Sequence, residues 1–345
     1  MGKKIFMSMA LCLVVSCSAM SLAAVEGPTL PVVTGDFGTI LSKFSQYDVI
    51  LRPDKDEAEW WAGAPTVVRG PDGVFWMACR MRTPEAPRGL RGYEIRILRS
   101  EDGVHFEKVH AIRREDVPIP GVERPAMLYD ADTKKFKLYG CGPWKDDQWS
   151  IVKFADVDRP DQFVPSSAHP VIVPAERAYE RDIAPVGYKD PVILRADGQY
   201  HCYVIGYIRQ NERIFHFSSA DGEQWTPVGG LYEPVMDLDG WHNFFVRPAN
   251  VLPVGVGYLF VYEGSNAKWY DPVYNIATGI GFTFDLRHIT DLTPESPLLI
   301  SSTPGEDFAT FRYSVWLRVE NEIWVYAEAA CPNGTFEVRR YKLPL

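Results

Sequence analysis

The stretch Tyr188-Lys189-Asp190-Pro191-Val192-Ile193-Leu194-Arg195-Ala196-Asp197-Gly198-Gln199-Tyr200-His201-Cys202-Tyr203-Val204 reads as a strand, a tight turn and a second strand. Asp-Gly between two β-rich runs is a strong hairpin signal, because glycine reaches the positive φ that the turn needs. Four further segments have the same form. They are Ala64-Pro65-Thr66-Val67-Val68 before Phe75-Trp76-Met77, Arg124-Pro125-Ala126-Met127-Leu128 before Phe136-Lys137-Leu138-Tyr139, Arg247-Pro248-Ala249-Asn250-Val251 before Tyr258-Leu259-Phe260-Val261-Tyr262, and Tyr313-Ser314-Val315-Trp316-Leu317 before Ile323-Trp324-Val325-Tyr326. Counted from Pro65, Pro125, Pro191, Pro248 and Ser314, the spacings are 60, 66, 57 and 66 residues.

A period of that length suits a four-stranded unit with its loops. Outer strands are visible as well. Ile95 to Ser100 leads into Glu101-Asp102-Gly103, and Phe215 to Ser219 leads into Ala220-Asp221-Gly222. Helical periodicity is nearly absent. One open sheet of this length would expose its edges, and radial repetition protects them. The expected fold is therefore all-β, a five-bladed β-propeller forming a single domain over residues 25–345, with Thr39 to Leu51 supplying a strand that completes the last blade.

The 345 residues are 46% apolar and 23% charged, which is enough to bury a core. Aromatics make up 13%, a surplus that suits sugar stacking as well as β-rich packing. The net charge of −9 disfavours nucleic acid as a partner. Residues 1–24 read as an export signal: Lys3 and Lys4, an apolar run from Ile5 to Val15, and a small-residue cleavage pattern at Ser21 to Ala24. Val14-Val15-Ser16-Cys17 also reads as a lipoprotein box. A lipid on Cys17 would be the one membrane attachment, and the location periplasmic, outer-membrane or secreted. Cys79, Cys141, Cys202 and Cys331 lie far apart with no paired spacing, so buried thiols are expected rather than a metal site. No cofactor motif is present.

The repeat resembles the five-bladed propeller glycosidases: the arabinanase and xylosidase group, the invertase and levanase group, and the mannoside phosphorylases. The resemblance covers the chain after residue 24, and Tyr188 to Tyr200 is its most specific piece. In the arabinanase group the corresponding Asp tunes the catalytic acid and helps hold the sugar, which is the place Asp190 takes. The pattern departs at the first unit, where Ala64 replaces the Asp general base, and at the fourth, where Arg247 stands at the place of the Glu acid. The phosphorylases carry their acid on an Asp-Pro-Arg strand of the second blade, and here that strand reads Val122-Glu123-Arg124-Pro125.

In a propeller the first strands of the units open around a funnel, so their leading residues converge. The candidate catalytic residues are Asp190 and Glu123, with His242 as a replacement acid. The candidate substrate-binding residues are Arg80, Arg124, Arg247, Arg312, Tyr313, Glu263, Trp60 and Trp61, while Arg82 and Glu328 also reach the funnel from second-strand ends. The arginines suggest an anionic glycan, uronate or sulfated, or alternatively they neutralise buried carboxylates. Trp60 and Trp61 either stack on a sugar or cap a blade. The expected function is an exported glycoside hydrolase acting on O-glycosyl bonds, and the alternative is a glycan-binding propeller without catalysis.

Overall fold

The computed structural model describes residues 38–344 except 88, 176–184, 209–210, 231–232, 270–274, 302 and 304–309. The export-signal reading of residues 1–24, including Cys17, lies outside the described residues. Among the described residues the regular secondary structure is almost wholly β. After a short helix α1 (Gly38–Lys43) and a strand β1 (Asp48–Leu51) come the antiparallel meanders. The first comprises β2 (Trp61–Arg69), β3 (Phe75–Arg82), β4 (Gly92–Ser100) and β5 (Glu107–Arg113). The second comprises β6 (Glu123–Asp130), β7 (Lys135–Pro143), β8 (Trp149–Lys153) and β9 (His169–Ile172). The third comprises β10 (Tyr188–Ala196), β11 (Gln199–Ile208), β12 (Asn211–Ser219) and β13 (Thr226–Pro227). The fourth comprises β14 (Phe245–Val254), β15 (Gly257–Ser265), β16 (Ala277–Thr283) and β17 (Thr290–Asp291). The last comprises β18 (Phe311–Val319), β19 (Glu322–Ala330) and β20 (Phe336–Pro344).

β1 pairs antiparallel with β20, so the chain start completes the last meander, as the repeat implied. The segment before it departs from expectation, because Gly38–Lys43 is helical. Phe44 follows that helix and is buried against Phe311, Trp316 and Tyr341, which anchors the entry. A single parallel pair, Trp61 with Phe336, links the first meander to the last in one sheet. The first strands form a ring: β2 lies beside β6, β6 beside β10, β10 beside β14, β14 beside β18, and β18 returns to β2.

The core sits between consecutive meanders rather than along one central plane. Ile97, Leu138 and Phe154 fill the first joint; Tyr188, Phe215 and Cys141 fill the second. Cys79, Cys141 and Cys202 are buried thiols, and Cys331 is half-buried. Among the described residues no helix is long and apolar enough to cross a membrane.

The Ser-x-Asp-Gly turns do more than close hairpins. Ser219 Oγ accepts from the Gly222 N–H, and Asp221 Oδ1 accepts from the Glu223 and Gln224 N–H groups. The Gly222 carbonyl then accepts the hydroxyl of Tyr139 from the preceding meander at 2.9 Å. Tyr326 makes the same latch to the Gly103 carbonyl at 2.8 Å, across the joint between the last and first meanders. Gly222 has a φ of +77°, and a Cβ there would come within 2.6 Å of the Tyr139 hydroxyl. Gly222→Ala is therefore expected to cost about 1–3 kcal/mol through strain and a displaced latch. A lowered urea midpoint with an unchanged slope checks this.

Candidate functional site

Each first strand breaks its register near its leading end. In β2, β6, β10 and β18, two residues oppose one on the neighbouring strand, and the leading residue of each break has left-handed backbone. These residues are Ala64 (φ 47°), Arg124 (φ 31°), Asp190 (φ 54°) and Tyr313 (φ 51°). Positive φ is costly for residues with a Cβ, by about 1–3 kcal/mol each. Its recurrence at the strand openings around one ring marks a built feature, and bulges are a known means of re-aiming a side chain. In β14 the break falls after Pro248, and Arg247 stays in register opposite Glu263.

Around this ring arginines and carboxylates interlock. Arg80 donates to Glu123 Oε2 at 2.7 Å and to Glu328 Oε2 at 3.1 Å. Glu123 Oε1 accepts the Gly92 N–H at 3.1 Å and lies 3.9 Å from Arg82 Nε. Arg312 donates to Glu328 Oε1 at 2.6 Å, and Glu328 Oε2 also accepts the Ala64 N–H at 3.0 Å. Arg247 Nε donates to Glu212. Arg124 crosses the ring axis and donates to the carbonyls of Asp190, Pro248 and Ala249 at 3.2, 2.8 and 3.0 Å. Its guanidinium lies 4.9 Å from the Tyr313 ring centroid, a cation–π distance. Below Arg124 a central channel of about 440 Å³ runs between the first strands and is lined by Val67, Met127, Ile193 and Val315.

Tyr313 joins two carboxyl groups that the site shifts in opposite directions. Its N–H donates to Glu263 Oε1, and its hydroxyl donates to Asp190 Oδ2 at 3.1 Å. Burial raises the Asp190 carboxyl, but Arg124, Arg247, Arg80 and Lys189 together outweigh it and hold the group below the usual carboxylate range. Burial dominates at Glu263 and pushes it up to about 7, against the opposing pull of Arg124 and Arg247. Glu263 Oε2 is buried with no hydrogen-bond partner among the described residues.

The raised carboxyl has a stability consequence with a definite sign. Below the ordinary carboxyl range Glu263 is protonated in both the folded and the unfolded chain and costs nothing. As pH rises from about 4.5 to about 7 the unfolded chain releases the proton and the folded one keeps it, so stability falls through that window. Glu263→Gln is expected to remove this fall and to melt higher than the parent at pH 8. Melting temperature against pH for both proteins checks it.

The structure brings together Asp190, Glu123, Glu263, Arg80, Arg124, Arg247, Arg312 and Tyr313, and corrects several of their expected roles. Arg80, Arg124 and Arg312 are buried and occupied by internal carboxylates and carbonyls, so they brace the ring instead of presenting free forks to a substrate. Trp61 is 1% exposed, with Phe336 at 4.5 Å and the Arg82 guanidinium 4.2 Å from its ring, so it packs and does not offer a face to a sugar. Trp60 is also buried, against Tyr93 and under Lys55. His242 is not brought to the carboxylate pair. It sits in a short 3₁₀ turn, Gly240–His242, where Nε2 lies 3.1 Å from Asp291 Oδ2 and the ring packs edge-on to Trp241 and Tyr262. Asp239, His242 and Asp291 do bring one ligand atom each within 4.8 Å of one another, the group among the described residues that could hold a cation.

Three residues the sequence reading passed over line a groove beside the funnel: Trp149, Lys189 and Tyr207. Their signal was the position of each at a strand end on the funnel side, two of them aromatic.

No protein-family profile matches the chain, and no curated protein matches its sequence. The fold, however, is shared with solved structures. A glycosyl hydrolase from Bacteroides ovatus superposes with a TM-score of 0.64 at 15% identity, covering 87% of this chain and 95% of that one. A structure from the family of mannoside phosphorylases containing glycoside hydrolases that target β-1,2 mannosidic linkages in Candida mannan gives 0.63 at 15% identity, covering 90% and 96%. The β-1,2-mannobiose phosphorylase from Listeria innocua, solved with β-1,2-mannobiose, gives 0.62 at 12% identity, covering 86% and 94%. These neighbours are glycoside hydrolases and phosphorylases, and at these identities the likeness shows a shared all-β, propeller-like fold alone.

Proposed function

We propose that the chain is an exported, single-domain, five-bladed propeller that cleaves O-glycosidic bonds in an oligosaccharide or polysaccharide. The observation that carries this reading is the Tyr313 bridge between Asp190 and Glu263. Glycoside cleavage needs one carboxyl that holds a proton and one that is ionised, and environments that push two such groups apart assign the roles. Glu123, the expected partner of Asp190, accepts from Arg80 and the Gly92 N–H and lies near Arg82, so both its oxygens are engaged by internal donors, which suits bracing the ring rather than acid catalysis. Glu263 therefore takes the acid's place in this reading, with Asp190 as the ionised partner. The five first strands in a closed ring, with β1 completing the last meander, support the blade count.

The test is a screen of the purified chain against neutral, uronate-containing and sulfated glycans, following released reducing ends. Release from one class, at a rate that falls as pH rises through about 7 and whose fall Glu263→Gln removes, supports the reading. Binding without release supports the second reading, a glycan-binding propeller. That reading is favoured by one observation: Glu263 is fully enclosed.

A further inference from the structure

Beside the funnel lies a groove of about 450 Å³ lined by Asp147, Gln148, Trp149, Gly187, Lys189 and Tyr207. It is continuous with the site in both sequence and bonding. Lys189 directly precedes Asp190 on β10, and its charge helps keep that carboxyl ionised. Tyr207 stands directly opposite Glu212 in the pairing of β11 with β12, and Glu212 in turn holds Arg247. Within the groove the Lys189 ammonium lies 4.2 Å from the Trp149 ring centroid and 4.7 Å from that of Tyr207. Two aromatic faces thus fix a half-buried cation, and among the described residues no carboxylate pairs with it. An ammonium has three N–H donors, and ring faces satisfy them weakly compared with an anionic oxygen. Asp147 stands at the exposed rim, where solvent and salt screen its charge.

We propose that this groove is a subsite for an acidic sugar unit, with Trp149 and Tyr207 offering flat apolar faces to the ring and Lys189 binding its carboxylate or sulfate. The proposal rests on the glycan-processing reading of the neighbouring funnel. It also moves the recognition of negative charge from the occupied arginines to Lys189.

Calorimetric titration of the full chain carrying Asp190→Asn, so that turnover does not interfere, tests it with three probes: trigalacturonate, a sulfated galactose disaccharide that carries no uronate, and neutral cellotriose. One acidic probe is expected to bind at least about tenfold more tightly than cellotriose, and which one does so decides between carboxylate and sulfate. Adding Lys189→Met should weaken that probe by about 10- to 100-fold, the usual size of a charged hydrogen bond. Lys189→Arg should restore most of the loss, and Trp149→Ala should weaken all probes that bind. Equal affinity for acidic and neutral probes, no binding of either acidic probe, or indifference to Lys189→Met overturns the subsite. Glycan hydrolysis by the parent protein with a KM unmoved by Lys189→Met would sink the subsite and leave the catalytic reading standing. Acidic-sugar binding that depends on Lys189, in a parent protein without hydrolysis, would do the reverse.

Discussion

Replacing Asp190 with Asn is expected to lower kcat by about 10²–10⁴-fold on whichever glycan the parent protein cleaves, the range seen when a positioned acid–base group is lost. The substitution keeps the side chain's size and leaves an oxygen to accept the Tyr313 hydroxyl, which the carboxylate holds at 3.1 Å. What it removes is one negative charge facing Arg124, Arg247 and Arg80. None of those arginines makes a direct ion pair with Asp190, since each has closer partners elsewhere. The fold should therefore survive with a modest loss of stability. Steady-state kinetics with a parallel urea melt check this, and a fall in kcat below tenfold with the fold intact would remove Asp190 from the reacting centre. Glu123→Gln makes the useful contrast. Glu123 is bonded to Arg80 and to the Gly92 N–H, so its replacement should lower stability and activity together. Separation of the two effects at Asp190, and their coupling at Glu123, distinguishes a reacting group from a brace.

The repeat was legible because it rests on local chemistry. Pro or Ser after a strand opening, Asp-Gly at a turn and alternating apolar residues act over a few positions, and the five openings they marked do converge. The division of labour among the converged residues was not legible, because it is set by contacts between different meanders. Ala64 reads as a missing carboxylate, yet Glu328 from the last meander presents its Oε2 to the Ala64 N–H. Arg247 reads as a lost acid, yet Glu263 stands directly opposite it on β15 and Glu212 bonds it from β12. Carboxylates thus surround both positions from other strands. The left-handed backbone at Arg124 and Asp190 was hidden as well. A residue before proline is ordinarily pushed towards extended backbone, so nothing local in Arg124-Pro125 or Asp190-Pro191 announces the positive φ found there. His242 was misplaced because its partner, Asp291, lies on the short outermost strand β17, whose two residues carry no pattern of their own.

Those cross-ring carboxylates should be the most sensitive points of the fold, and Glu328 is the sharpest case. Its side chain is fully buried and accepts from Arg80, Arg312 and the Ala64 N–H, tying β19 to β3, β18 and β2. A buried ion network contributes little net stability, because desolvation offsets attraction, but removing one member leaves its partners as unpaired buried charges. Glu328→Ala takes from Arg312 the carboxylate it bonds at 2.6 Å and from Arg80 one of its two carboxylates, and strips the acceptor from a buried backbone N–H. The expected cost is about 3–5 kcal/mol, read as a lower urea midpoint. Glu328→Gln keeps the shape and an acceptor but not the charge, so it should recover only part of that loss. The second substitution decides the cause. If Gln restores the parent midpoint, the site needs a hydrogen-bond acceptor and not a charge, and the arginines around the funnel would then be neutralised as a group by Glu123, Asp190 and Glu212 rather than pair by pair. If Gln fails as badly as Ala, the charge itself holds the joint between the last meander and the first, and the strained openings around the ring depend on that joint staying closed.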